Sequence, residues 1–158
     1  MTLKNGDQMP SGAFKVIGSD GMKEVSTEEL FSGKKVAFFS VPGAFTPTCS
    51  NEHLPSFLKN YDKIIAKGFD TIACMSVNDA FVMKAWGEDR GVSDKILMLA
   101  DGNADYTKSL GLELDGSGFG LGVRAKRFSI VVNDGKVEQL NVDEGAYDLT
   151  SAEKTCGI

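Results

Sequence analysis

The sequence predicts an α/β domain built around a mixed β-sheet. In the middle of the chain, apolar runs typical of buried strands alternate with segments of helical spacing, and this alternation is typical of parallel strands joined by helices. Near each end of the chain, two strand-like runs are separated by tight-turn residues, which predicts an N-terminal and a C-terminal hairpin. The 158 residues are enough for a single domain, expected to span 1–158, to bury a core without disulfides.

The N-terminal part predicts the first hairpin, a short helix and a buried strand. Apolar residues on both sides of the turn 19–21 indicate the hairpin. Ser26 and Glu29 have the spacing of a capping box, so a helix is expected to begin there and to end at Gly33. The apolar run 35–41 is then expected to be a buried strand.

The central elements are predicted from helical spacing and from further apolar runs. Apolar residues recur at helical spacing from 49 to 67, so this segment is expected to be one helix with Thr48 as its N-cap. Strand-like runs follow at 69–77 and 96–100, and each precedes a helical segment. Asn78 is the expected N-cap of the first of these helices.

The last third is expected to contain a loop and the closing hairpin. Residues 112–123 are dense in glycine and are expected to form a loop. This glycine cluster leads into a strand and lacks the G-x-G-x-x-G spacing, so a nucleotide-binding loop is not expected. The runs 127–133 and 136–142 predict a hairpin that turns at Asp134-Gly135. The element order is therefore ββαβαβαβαββ, with helices flanking a central mixed sheet.

Composition and charge narrow the classes of function. The net charge of −5 argues against nucleic acid or an anionic membrane as the main partner. No signal-peptide core and no apolar stretch approaching ~20 residues is visible in the sequence. Three cysteines without framework spacing suit a reducing compartment, so a cytoplasmic location is expected, although a lost transit peptide would leave no trace. The cysteines and the single histidine show no paired ligand spacing, so neither a metal nor a cofactor is expected.

A cysteine at a junction of loop and helix is the strongest candidate for chemistry. An apolar strand leads into Pro42-Gly43-Ala44-Phe45-Thr46-Pro47-Thr48-Cys49, where two prolines and a glycine break the backbone before Cys49 opens the helix. Unpaired backbone N–H groups and the positive end of the helix dipole favour a thiolate at such a position. We therefore predict that Cys49 is a nucleophile.

Four segments resemble the peroxiredoxins. Residues 42–49 resemble their active-site pattern P-x-x-x-T-x-x-C, and PGAFTPTCS is similar to the type II, or peroxiredoxin-five-like, branch. The segments SVNDAFVMKAW (76–86), ADGN (100–103) and GVRAKRFSIVVNDG (122–135) follow in the order of that branch. The resemblance implies a thioredoxin-like fold, a homodimer and a peroxidase that reduces hydrogen peroxide and alkyl hydroperoxides in antioxidant defence and cell redox homeostasis. It also implies recycling by glutathione with glutaredoxin, or by thioredoxin.

A fast thiol peroxidase needs a group that acts on the transition state. A more ionised thiol is also a weaker nucleophile, so charge on the breaking O–O bond must be stabilised, and arginine suits that task. Arg124 and Arg127 would point to opposite faces of one strand, so at most one is expected to face the site. The resemblance assigns the catalytic role to Arg124, contact with the peroxide to the Thr46 hydroxyl, and shielding of the sulfur from water to Pro42. Arg127 is expected to support the site through a salt bridge or to be solvated.

The other cysteines and the histidine have structural alternatives. Cys74 lies in an apolar strand and is expected to be a core residue. Cys156 is expected to be an exposed thiol near the end of the chain, which either resolves the sulfenic acid, within the chain or toward a partner, or has no redox role. His53 lies on the same helical side as Cys49. Packing or hydrogen bonding around the site is favoured for His53 over a Cys–His dyad, because a thiolate needs no base.

The same residues also bear on three other functions. A disulfide oxidoreductase needs a C-x-x-C pair, which this chain lacks. A thiol hydrolase would need Cys49 and His53 as a dyad together with an oxyanion hole. A redox-sensing interaction protein would be oxidised without turnover by any reductant. The hydrolase and the sensor stay open at the level of sequence.

Overall fold

The computed structural model describes residues 2–158, and this part of the chain forms a seven-stranded sheet, a separate two-stranded sheet and six α-helices. The strands are β1 (Ala13–Gly18), β2 (Gly21–Ser26), β3 (Lys35–Ser40), β4 (Thr71–Ser76), β5 (Leu97–Ala100), β6 (Glu113–Asp115), β7 (Val123–Ala125), β8 (Arg127–Asn133) and β9 (Lys136–Asp143). The helices are α1 (Thr27–Phe31), α2 (Leu54–Lys59), α3 (Tyr61–Ala66), α4 (Ala80–Asp89), α5 (Asp105–Leu110) and α6 (Ala152–Cys156). A π-helical turn at Cys49–His53 precedes α2, and a 3₁₀ turn lies at Ser117–Phe119.

The large sheet has the strand order β2-β1-β5-β4-β3-β8-β9. Its centre is parallel, because β3 pairs with β4 and β4 pairs with β5 in the same direction. The hairpins β1–β2 and β8–β9 are antiparallel and form the two ends of the sheet. The mixed sheet and both hairpins predicted from the sequence are therefore confirmed, as is the capping box at the start of α1.

Strand β3 is buried on both faces, which explains why its sequence is continuously apolar. Val36 and Phe38 point into the core beneath α1 and α5, whereas Ala37 and Phe39 point into the core beneath α2, α3, α4 and α6. All four side chains are fully buried. The strand therefore provides a rigid base for the loop that follows it.

The loop after β3 and the turn after β4 lie at the same edge of the sheet. The two strands run in parallel with Ser40 opposite Met75, so both end at this edge. The N–H of Val41 donates to the Met75 carbonyl at 3.1 Å and extends the pairing by one residue. Residues 42–48 and 77–79 follow directly, and the carboxyl ends of parallel strands are where open α/β sheets place their sites.

The segment 49–67 is not the single helix that its spacing predicts. It begins as the π-helical turn, in which the N–H of Leu54 donates to the carbonyl of Cys49, and it is interrupted again between α2 and α3. Pro55 has no N–H to donate one turn back, so regular α-helical hydrogen bonding does not run through this position. Thr48 makes no side-chain capping bond, so the prediction that it is the N-cap is wrong.

Two further predictions about local structure are wrong. Residues 112–123 are not a plain loop, because β6 and β7 pair across a turn that the Gly116 N–H closes by donating to the Gly122 carbonyl at 2.7 Å. Asn78 is not the N-cap of α4, because the carboxylate of Asp79 accepts the first-turn N–H instead. The Asn78 side chain points to the loop after β3.

Candidate active site

The sulfur of Cys49 lies where the loop after β3 meets the π-helical turn. Cys49 is fully buried in the core beneath α2. Nη2 of Arg127 donates a hydrogen bond to Sγ at 3.1 Å. A permanent cation held against a buried sulfur stabilises the thiolate relative to the thiol. The arrangement therefore places a fixed positive charge directly against the Cys49 sulfur.

The guanidinium of Arg127 is fixed by two further contacts. Nη1 lies 2.8 Å from Nδ1 of His53, so the two terminal nitrogens bridge the sulfur and the imidazole. The guanidinium carbon lies 5.9 Å from the centre of the Tyr147 ring. An arginine held on both nitrogens stays in one plane, and its remaining N–H donors keep a defined direction.

His53 holds Arg127 as a neutral acceptor. The imidazole is fully buried, and its Nε2 lies 3.0 Å from the backbone carbonyl of Thr150. A carbonyl only accepts, so Nε2 carries the ring proton and Nδ1 is left to accept from Arg127. Burial and, after it, the charge of Arg127 lower the pKa of His53 from 6.5 to about 3. Since its acceptor nitrogen is occupied, His53 has no free nitrogen to act as a base toward Cys49.

The loop that carries Thr150 is organised by one carboxylate. Asp143, at the end of β9, accepts the backbone N–H groups of Asp148, Leu149 and Thr150 at 2.8–3.1 Å, together with the Thr150 hydroxyl. Burial raises the pKa of Asp143, but these hydrogen bonds outweigh it and hold the pKa below its usual value. The carboxylate fixes the Thr150 carbonyl and, through His53, the orientation of Arg127.

Arg124 lies at the same loop from the other side. Its Nη1 donates to the Pro42 carbonyl at 3.4 Å, and its Nε donates to the Leu121 carbonyl at 3.0 Å. The expectation that at most one of Arg124 and Arg127 faces the site is wrong. The two residues belong to different sheets, because Lys126 separates β7 from β8, so the alternation of a single strand does not apply.

Thr46 presents its hydroxyl in one orientation. Oγ1 donates to the Gly43 carbonyl at 2.7 Å, so its hydrogen is engaged and its lone pairs remain to accept. The N–H of Ser50 in turn donates to the Thr46 carbonyl at 2.9 Å and joins the loop to the π-helical turn. The hydroxyl oxygen can therefore accept a hydrogen bond from an O–H or N–H group.

The loop can be tested at Gly43, where the backbone passes close to two side chains. A Cβ at this position would lie 3.1 Å from Cγ2 of Thr46 and 3.2 Å from Nη1 of Arg124, so one of them must move. We expect Gly43→Ala to slow oxidation of Cys49 by peroxide about tenfold in stopped-flow measurements. Gly118→Ala is the matched control, because a Cβ there meets no atom within 4 Å. Equal rates for the two variants would show that the loop tolerates displacement.

Comparison with known proteins places the chain in a family. The Redoxin family model matches residues 4–155. Peroxiredoxin-2E, chloroplastic, of Arabidopsis thaliana is 46% identical over 157 residues, which cover 96% of this chain and 67% of that protein. The chain is a peroxiredoxin. As a member of this family, it is a thiol-dependent peroxidase.

Solved structures support the same family and define the fold. Reduced Prx3 from Vibrio vulnificus in complex with H₂O₂ superposes with a TM-score of 0.93 at 47% identity, and the match covers 97% of this chain and 96% of that one. Peroxiredoxin 5 from Alvinella pompejana superposes with a TM-score of 0.82 at 38% identity, covering 89% and 90%. The fold of this peroxiredoxin is thioredoxin-like, and the chain belongs to the type II branch.

All three cysteines of this peroxiredoxin are free thiols. Cys74 is a fully buried core residue of β4, as predicted, and burial together with the neighbouring Cys49 raises its pKa well above the usual value. The expectation that Cys156 is exposed is wrong. It lies on α6 with 7% of its surface exposed, because this helix packs against the core, and burial raises its pKa to about 12.

Residues 2–158 contain neither a cluster of metal-binding side chains nor a membrane-spanning helix. No group of three or more histidine, cysteine, aspartate or glutamate side chains in this range could hold a metal ion. No helix in the same range is long and apolar enough to cross a bilayer.

Sequence reasoning missed Asp143 altogether, and the only signal for it is an acidic residue at the end of a strand and before a turn.

Proposed function

We propose that the peroxidase reaction of this chain takes place on Cys49. The thiolate attacks one oxygen of the hydroperoxide in line with the O–O bond, the S–O bond forms as the O–O bond breaks, and the second oxygen leaves with its electron pair as water or an alcohol after protonation. The sulfur is thereby oxidised to a sulfenic acid. The observation that carries the proposal is the 3.1 Å contact between Nη2 of Arg127 and the Cys49 sulfur.

The residues around the sulfur are proposed to have different roles in the reaction. Arg127 stabilises the thiolate and the charge that develops on the peroxide oxygens, the role that sequence resemblance assigned to Arg124. Arg124 instead holds the Pro42 carbonyl and so fixes the loop, which supports a positioning role. Thr46 accepts a hydrogen bond from the peroxide, and Pro42 shields the sulfur from water.

Both hydrogen peroxide and alkyl hydroperoxides are proposed substrates. A cavity of about 280 Å³ borders Pro42 and Arg127. Leu114 and Ala146 supply apolar wall to it. Lys126, Asp143 and Glu144 line the same cavity, so it offers both apolar and charged contacts to a small organic group next to Arg127.

An external thiol is the proposed reductant of the sulfenic acid. Attack on a sulfenic acid needs a thiolate, and the pKa of about 12 leaves Cys156 almost entirely protonated at neutral pH. Glutathione with glutaredoxin, or thioredoxin, would then supply the reducing thiol. Cys156 is accordingly proposed to have no resolving role within the chain.

The decisive experiment follows the three cysteines after a single oxidation. The reduced protein is treated with one molar equivalent of hydrogen peroxide, trapped with dimedone and analysed by peptide mass spectrometry and a non-reducing gel. We expect a dimedone adduct on Cys49 in the wild type and in Cys156→Ser alike, with turnover by external thiols unchanged in the variant. A Cys49–Cys156 disulfide would contradict the external-thiol step. An adduct on Cys74 or Cys156 in place of Cys49 would contradict the assignment of the nucleophile.

A single domain, a homodimer and a cytoplasmic location complete the proposal. Phe45, Phe81 and Phe119 are 51%, 65% and 89% exposed, so each is available to contact a second subunit, and the homodimer itself rests on the resemblance to the peroxiredoxin branch. Sedimentation velocity would measure the mass in solution. The Arabidopsis relative is chloroplastic by name, so cell fractionation is needed to test the cytoplasmic proposal.

A further inference from the structure

The loop before Cys49 contains a strained backbone. Phe45 has φ of +65°, in the left-handed region that residues with a bulky side chain rarely adopt. About half of the Phe45 surface is exposed, so packing of its ring does not offset this cost. Strain of this kind persists only where surrounding contacts impose it. Within the loop, the hydroxyl of Thr46 spans Phe45 by donating to the Gly43 carbonyl at 2.7 Å, and a further contact reaches the loop from outside.

That contact comes from the end of the neighbouring strand. Oδ1 of Asn78 accepts the backbone N–H of Ala44 at 3.0 Å and the hydroxyl of Ser76 at 2.6 Å. Ser76 is fully buried at the end of β4, and its carbonyl accepts the N–H of Asp101 at 2.9 Å. The side-chain oxygen that binds the loop is thus itself anchored to the sheet.

The Asn78 contact is linked to the Thr46 hydroxyl through one planar peptide group. The N–H of Ala44 and the carbonyl of Gly43 belong to the same peptide group, which is planar. That carbonyl accepts the Thr46 hydroxyl at 2.7 Å. Fixing the N–H end of the plane therefore fixes the direction of the carbonyl, and with it the direction in which Thr46 offers its lone pairs.

We propose that Asn78, supported by Ser76, is a positioning residue for the peroxidase reaction. It holds the Gly43–Ala44 peptide so that Phe45 stays left-handed and Thr46 faces the peroxide. The inference rests on the function proposed for Cys49 and Thr46. It also explains why Asp79, and not Asn78, is the N-cap of α4, because the Asn78 side chain is engaged with the loop.

The test separates positioning of peroxide from the state of the sulfur. We expect Asn78→Ala to lower the rate of Cys49 oxidation by hydrogen peroxide about tenfold, because the loop loses the hydrogen bond that holds it. Alkylation of Cys49 by iodoacetamide should stay at the wild-type rate, since Arg127 still contacts the sulfur. Asn103→Ala is the matched control, because Asn103 is exposed in the loop after β5 at the same edge of the sheet. Thermal unfolding of each variant checks that it is folded.

A second substitution tests the strain directly. Glycine adopts the left-handed region without a steric cost, so Phe45→Gly in the Asn78→Ala background should recover at least about threefold of the lost peroxide rate. The positioning role would be overturned if the double variant failed to recover this rate. It would also be overturned if Asn78→Ala lowered oxidation and alkylation of Cys49 equally, or lowered neither. Wild-type protein that reacts with peroxide elsewhere than at Cys49 would instead contradict the proposed function itself.

Discussion

Arg127→Ala should lower the second-order rate constant for oxidation of Cys49 by hydrogen peroxide by about a thousandfold. One preorganised donor at a developing anion is worth about 10²–10³ in rate, and Arg127 also supplies the only guanidinium bonded to the sulfur among residues 2–158. Arg124→Ala should lower the same rate constant about tenfold, because Arg124 binds the Pro42 carbonyl and affects the reaction only by holding the loop in place. Stopped-flow kinetics under pseudo-first-order conditions would measure both values, with Cys49→Ser as the zero reference.

Arg127→Lys is the informative control for this prediction. Lysine retains the positive charge but lacks the planar pair of nitrogens that binds Cys49 and His53 together. We expect a rate between those of the wild type and Arg127→Ala, with the fraction of thiolate, followed by iodoacetamide alkylation against pH, closer to the wild type. If Arg124→Ala proved the more damaging variant, the assignment of the transition-state role to Arg127 would be wrong.

The position of Cys49 at the junction of loop and helical turn could be predicted from the sequence because its signals are local. The apolar run of β3, the break at Pro42 and Gly43, and the start of a helix all lie within a few residues of Cys49. Such features depend on short-range backbone chemistry, which neighbouring residues largely determine. The sheet could be predicted for the same reason, since alternation of strands and helices restricts the topology.

The partners of the sulfur could not be predicted in this way. Whether Arg124 or Arg127 reaches Cys49 depends on the break between strands at Lys126, where the chain passes from the small sheet to the large one. Over a segment as short as 123–127, a pattern of alternation cannot show that one strand ends and another begins. The orientation of Arg127 depends on His53 and, through the Thr150 carbonyl, on Asp143, which lies 90 positions after His53 in the sequence. This connection follows only from the tertiary packing of the loop after β9.

The pairing of His53 with Arg127 also predicts how stability depends on pH. His53 is neutral in the fold, with a pKa of about 3, whereas in the unfolded chain it binds a proton near pH 6.5. Between these values the unfolded state holds more protons, so the free energy of unfolding falls as pH falls, by at most about 1.4 kcal/mol per pH unit. From pH 7 to pH 5 the loss should be about 2 kcal/mol. Urea unfolding at fixed protein concentration, followed by the fluorescence of the buried Trp86, would measure it.

His53→Gln isolates this contribution because His53 is the only histidine of the chain. Glutamine is neutral at every pH and can both accept and donate, so the variant should be less stable at pH 7 yet lose the slope between pH 7 and pH 5. The lowered pKa of Asp143 affects stability in a different pH range. The stability that it contributes is present above about pH 4, where a carboxylate of the unfolded chain titrates, and is lost only as pH falls below that value. An equal slope in the wild type and the variant would mean that protonated His53 is tolerated beside Arg127. In that case the imidazole would not be the fixed acceptor that orients the guanidinium toward the sulfur.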